Sequence, residues 1–214
     1  MSRGIKLVEA GGLVLELAAA INANRAWLSE IDGAIGDGDH GINMSKGFSQ
    51  AAAAIGDASG GLAPAFATLG ETLLSCIGGS MGPLYGTFFL DIAATLQGAD
   101  MLDAPLFSKA LHAGLAGLLD LGGAKVGDKT LLDTLVPALA AFDAAVAANA
   151  PFAEALAAMG AAAERGRDST IDLVARIGRA ARLGERSRGV LDAGAASCCL
   201  LLQTLAAGIS ARLA

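Results

Sequence analysis

Between its glycine clusters the chain is built largely from alanine and leucine, set at the spacing of a helix. In IKLVEAGGLVLELAAAINAN, residues 5–24, Leu7, Val8, Leu13, Val14, Leu17 and Ile21 recur near the helical period and form one apolar stripe. Hydrophobic residues make up 54% of the chain but aromatic ones only 4%, so the core must be aliphatic. Alanine and leucine favour helices, and the aromatic and β-branched residues that favour strands are sparse. The expectation is an all-α protein.

Turn signals divide the rest in the same way. A second helix is predicted over 42–55, closed by Gly56-Asp57, and a third over 62–76, stopped by GGSMGP. A fourth starts near Pro83 and ends at Gly98. A fifth opens at Asp103 or Ala104 and stops at Gly122-Gly123. Asp128 is the expected N-cap of a sixth helix running to about Ala148, with Pro137 kinking its interior. Pro151 suits the start of a seventh, Ser169 or Thr170 the cap of a short continuation, and the last helix fills 195–213. About eight antiparallel amphipathic helices with short connections form a bundle or closed barrel. No fixed-period repeat or linker is visible, so 1–214 reads as one domain.

Charge and cysteine usage exclude some functions. The net charge is −6 with no run of lysines or arginines, which argues against a nucleic-acid binder. Cys76, Cys198 and Cys199 form no CxxC pair and read as buried thiols of a reducing compartment. The first residues, MSRGIKLVEAGG, lack the apolar core of a signal peptide. Two charge-free windows, 72–90 and 193–211, invite a membrane reading. Glycines and Pro83 interrupt the first; Ser197, Gln203, Thr204 and Ser210 mark the second as a bundle helix. A soluble, cytoplasmic protein with no membrane contact is expected.

The chemistry concentrates in IDGAIGDGDHGINM, residues 31–44, where Asp32, Asp37 and Asp39 fall within eight positions, threaded by glycines. Mg²⁺ takes octahedral oxygen ligands, usually a few carboxylates with waters and phosphate oxygens. Asp37 and Asp39 can face one side of a turn, with Asp32 closing the site. His40 and Asn43 follow at a predicted helix start, where free N–H groups suit an anion. Aspartates that merely cap helices are the alternative. An EF-hand does not fit: its third ligand position would be Gly41 and its twelfth Phe48. GGAKVGDKT, 122–130, is no P-loop, because Asp128 separates the last glycine from Lys129. GGSMGPLYG, 78–86, offers a glycine nest before a helix. Arg176, Arg179, Arg182, Arg186 and Arg188 cluster in an otherwise acidic chain, either as forked donors for phosphate or as a solvated basic face. His112, in a leucine-rich helical stretch, reads as structural. No catalytic triad or zinc spacing is present.

In order along the chain, IDGAIGDGDHGINMSKGF, LLSCIGGSMGPLYGTFF, GDKTLLDTLVPA and LGERSRGVLDAGA resemble the L-subunit family of dihydroxyacetone kinases. The likeness covers nearly the whole chain; only 143–170 is similar merely in being alanine-rich. It implies a helical barrel holding ADP or ATP in loops at one end. Two Mg²⁺ ions would lie on Asp32, Asp37 and Asp39, and catalysis would run through the metal with no covalent nucleophile in this chain. His40, Gly41, Ile42 and Asn43 would lie beside the nucleotide, with Gly79, Ser80 and Met81 in the second loop. Gly122, Thr130, Leu131, Arg179, Arg186, Asp192, Ala193 and Gly194 would complete the pocket.

Dihydroxyacetone would be held by a separate K subunit. A phosphotransferase-system M subunit would recharge the bound ADP from phosphoenolpyruvate, and a homodimer is left open. Alternatives are an ATP-dependent kinase of a related ketose such as erythrulose, or a nucleotide-sensing module without turnover. Two positions depart from the family: Ala193 stands where proline is common, and Ser80-Met81 where a small residue precedes serine.

Overall fold

Glycine pairs and capping turns break the chain where helices must reverse, and in the computed structural model, which describes residues 4–213, nine α-helices result. They are α1 (Gly12–Ala23), α2 (Arg25–Ile35), α3 (His40–Ile55), α4 (Leu62–Cys76), α5 (Met81–Leu96), α6 (Ala104–Leu121), α7 (Leu132–Ala147), α8 (Phe152–Ser169) and α9 (Ala193–Arg212). Two three-residue strands, β1 (Gly4–Lys6) and β2 (Met101–Asp103), pair antiparallel with Ile5 opposite Leu102. They tie the start of the described chain to the α5–α6 connection.

Helices α1, α3, α4, α5, α6, α7 and α8 each pack on the next, α8 packs on α9, and α9 returns to α1. The ring is closed, while α2 lies outside it against α3 and α9. The expected all-α architecture is therefore present, with eight helices as staves and one as a cover. The connections, short after α2 and α4 and longer after α6 and α8, place the C-termini of α2, α4, α6 and α8 at the same end as the N-termini of α3, α5, α7 and α9.

Side chains fill the barrel. Phe66 stacks on Phe89 with centroids 5.5 Å apart, and Phe48 and Phe88 meet the same ring edge-on. Phe107, Phe142 and Phe152 form a second cluster. Each such buried side chain contributes about 1.5–3 kcal/mol, so the few aromatics sit where their area counts most. Where α4 meets α5 the backbones nearly touch: a Cβ on Gly70 would lie 2.8 Å from the Gly86 carbonyl oxygen. Helix α7 runs on through Pro137, and Gly166 of α8 packs directly on the Asp133 carbonyl that proline leaves without a helical donor. By length and composition α9 could cross a bilayer, but 67% of its apolar window is buried in the barrel.

Several boundaries differ from the sequence reading. The stripe over 5–24 is not one helix: Leu7–Glu9 is a 3-10 turn, Val8 is 65% exposed, and α1 begins only at Gly12. Gly11 stands at this junction, where a Cβ would lie 2.3 Å from the Ala58 carbonyl oxygen. A separate helix, α2, then carries Asp32 in its last turn. Helices α3, α5 and α9 each start two residues early, at His40, Met81 and Ala193. Asp128 does not cap α7, which starts at Leu132; its carboxylate accepts the Lys125 N–H at 3.0 Å instead. Asp133, inside the first turn, accepts the Gly127 and Thr130 N–H groups at 2.6 and 2.7 Å.

Candidate functional site

The acidic loop is made by the end of α2 and the start of α3. The chain turns at Gly36 and at Gly38 (φ 76°), and Gly38 packs on Gly33. This brings one carboxylate oxygen from each of Asp32, Asp37 and Asp39 within 4.8 Å of the others. Asp32 also accepts the His40 N–H at 3.2 Å, which fixes the loop to the N-terminus of α3. Asp39 precedes α3 but makes no capping bond, so its carboxylate remains available to a ligand. Arg179 reaches across and pairs with Asp37. Three carboxylates this close repel one another unless cations sit among them, and hard oxygen donors suit Mg²⁺.

Around this loop stand the N-termini of α3, α5, α7 and α9, each the positive end of a helix dipole. At α5, Gly79 (φ 70°) leads into an exposed Ser80 and half-buried Met81, with open space at Gly78 and Gly79. At α7, the Thr130 hydroxyl accepts the Leu132 N–H. At α9, Asp192 caps the helix through Ala195 N–H at 2.7 Å, and Gly194 lies beside Leu131, where a Cβ would be 3.7 Å from that of Leu131. Gly122 closes α6 with open space next to Gly123.

Behind the rim His40, Tyr85 and Ser197 satisfy one another, while the Ser29 hydroxyl of α2 is buried without a partner. Ser197 Oγ is a hub: it lies 2.9 Å from His40 Nε2 and 2.7 Å from the Tyr85 hydroxyl, and donates to the Gly194 carbonyl at 3.1 Å. Burial holds the His40 imidazole down at about 4, opposed by the Asp32 charge, so it is neutral at physiological pH. Burial likewise pushes Tyr85 well above the usual phenol range and Asp192 up to about 6, against the Ala195 N–H and Lys129. Cys198, in the same wall, is raised by burial and is an inert thiol.

The structure thus unites Asp32, Asp37, Asp39 and Arg179 at one point, and joins His40, Gly194 and the helix start at Asp192 through Ser197 and Tyr85. The expected neighbours divide by role. The His40 side chain points inward to Ser197, leaving its backbone at the loop. Gly41 is buried against α2, where a Cβ would lie 2.1 Å from the Arg25 carbonyl. Ile42 is exposed on α3, and Asn43 continues its first turn. Ala193 is buried in α9, and Arg186 is exposed on the 3-10 turn Ala180–Ser187. His112 pairs with Asp143 at 2.7 Å on the α6–α7 surface, half-exposed rather than in the core. Sequence reasoning passed over Tyr85, Asp133, Ser197 and the buried Lys129. Each lies within or beside a quoted motif, but none carries a spacing signal.

Fold and site together define a closed helical barrel with a carboxylate-lined rim. The chain belongs to the DAK2 domain family, whose model matches residues 34–207. It is 39% identical over 183 residues to the PEP-dependent dihydroxyacetone kinase, ADP-binding subunit DhaL, of Escherichia coli (strain K12), covering 84% of this chain and 86% of that one. It is 37% identical over 185 residues to L-erythrulose 1-kinase of Mycolicibacterium smegmatis, covering 85% of this chain but 32% of that one. The dihydroxyacetone kinase of C. freundii, solved with AMP-PNP and Mg²⁺, superposes with a TM-score of 0.72 at 28% identity. That match covers 97% of this chain and 35% of the kinase.

Proposed function

We propose that this chain is the nucleotide-carrying subunit of a multi-subunit dihydroxyacetone kinase, folded as one domain over 1–214 and working in the cytoplasm. Asp32, Asp37 and Asp39 would hold two Mg²⁺ ions, which neutralise phosphate charge when bound. Backbone groups of His40–Asn43, Gly79, Ser80 and Met81 would receive the phosphates. Gly122, Thr130, Leu131, Arg179, Arg186 and Asp192–Gly194 would surround the rest of the nucleotide. The supporting observation is the convergence of three carboxylates within 4.8 Å at the barrel end where α3, α5, α7 and α9 begin.

The transfer would break the bond between the terminal phosphorus and the β-phosphate oxygen of bound ATP and form one to a hydroxyl of dihydroxyacetone on a K-type partner. ADP would stay on the barrel for recharging by a phosphotransferase-system M-type partner. In this chain the work is positioning and electrostatic stabilisation, the main components of phosphoryl-transfer catalysis. With Ser80 before Met81, the hydroxyl contact of the second loop would be displaced by one position or lost, with backbone N–H groups as the donors.

Native mass spectrometry and calorimetry with Mg²⁺ and ADP test the proposal. Retained nucleotide with magnesium is expected; a protein that binds neither, with an unmoved melting temperature, would sink it. Resemblance to an erythrulose kinase motivates a second reading, with another ketose as acceptor and free ATP as donor. Reconstitution with K-type and M-type partners, each donor and each ketose separates the two readings.

A further inference from the structure

Lys129 is 2% exposed and sits at positive φ (64°), a backbone conformation that lysine rarely adopts. Its ammonium donates to the carbonyls of Thr170 at 2.5 Å, Leu173 at 3.3 Å and Val190 at 2.5 Å. Thr170 and Leu173 are one foot of the segment carrying Arg176, Arg179, Arg182, Arg186 and Arg188; Val190 is the other. All three N–H groups are used, and among the described residues no carboxylate forms an ion pair with them. A compact ammonium with three diverging donors suits this geometry; a planar guanidinium does not.

Backbone and hydroxyl bonds close the same neck. Gly189 N–H donates to Ile171 at 2.8 Å, Asp192 N–H to the Thr170 hydroxyl at 3.0 Å, and Arg176 N–H to the Asp128 carbonyl at 3.1 Å. Past the neck, Arg179 extends to Asp37. Lys129 therefore connects the loop before α7 to a segment that reaches the acidic rim from another part of the chain.

We propose that Lys129 is a positioning residue that fixes the arginine-bearing segment over the nucleotide end by gathering its two feet around one ammonium. This rests on the nucleotide-carrying function proposed above. Burial, with the Arg188 charge, lowers the lysine pKa, while Asp192, Asp133 and Asp172 oppose the shift.

The test uses the full chain with Lys129→Met and Lys129→Gly, the second chosen because glycine accepts the positive φ and preserves the turn. Without nucleotide, trypsin nicking after Arg176–Arg188 is followed by mass spectrometry; MgADP affinity is measured by calorimetry, and helical content by circular dichroism. Nicking about tenfold faster and MgADP affinity about tenfold weaker are expected, with the helical signal kept. Unchanged nicking overturns the clamp, and faster nicking with unchanged affinity overturns the positioning role. Loss of the helical signal in Lys129→Gly also overturns it, because the ammonium would then be holding the barrel itself. Wild-type protein that binds no MgADP sinks the proposed function, an outcome separable from the nicking result.

Discussion

The acidic rim and the wall behind it both carry polar groups and treat them in opposite ways. At the rim, Asp37 is exposed, Asp32 and Asp39 are half-buried, and their oxygens face one another. In the wall, Asp133, Ser197 and Lys129 are buried, and each hydrogen-bonds to nearby protein groups. An arrangement of like charges with open valences is costly for a fold and useful for a ligand; a closed hydrogen-bond network is the reverse. The difference marks which side binds and which side supports.

Substitutions on the two sides sharpen the contrast. The largest effect is expected for Asp37→Asn, which removes one ligand charge from the rim: Mg²⁺-dependent ADP affinity should fall roughly a hundredfold by calorimetry, with helical content unchanged. Gly41→Ala attacks the joint between α2 and α3, where the new methyl would meet the Arg25 carbonyl at 2.1 Å. It should cost about 2–3 kcal/mol in urea unfolding, and an unmoved midpoint would show that α2 shifts freely.

In the wall, Ser197→Ala removes the hub shared by His40 and Tyr85; Tyr85 keeps the Gly194 carbonyl, and a loss of about 1–3 kcal/mol is expected from the His40 ring left unpaired. Asp192 gives the pH test. Its folded value near 6 lies above the ordinary 3.8, so the folded state holds a proton between those values that the unfolded state has released. This contribution to stability is present at low pH and is lost as pH rises from about 4 to about 6, by at most about 1.4 kcal/mol per pH unit. Melting curves across that window should show Asp192→Asn gaining on the wild type as pH rises; a constant difference would break the assignment. The smallest effect belongs to His112→Ala. Its pair with Asp143 is partly exposed, and a loss below about 1 kcal/mol is expected at pH 6.

The rim was legible in the sequence because its three carboxylates lie within eight residues, close enough for one turn to bring them together. The helical staves were legible for the same local reason, since alanine and leucine at regular spacing need no distant partner to declare a helix. The wall was hidden because its contacts join positions far apart, such as His40 with Ser197 and Lys129 with Val190. Local rules also failed at Asp128, which looked like a helix cap. Asp133 made that role unnecessary by taking the loop N–H groups from one turn further on. The need for glycine at position 11 comes from contact with residues 58 and 61, which no window around Gly11 contains.

The ring closes only through α9, the stave that follows all the others along the chain and lies against both α8 and α1. Until α9 docks, α1 and α8 each keep an apolar flank uncovered, so the barrel exists only once two distant stretches of the chain have met.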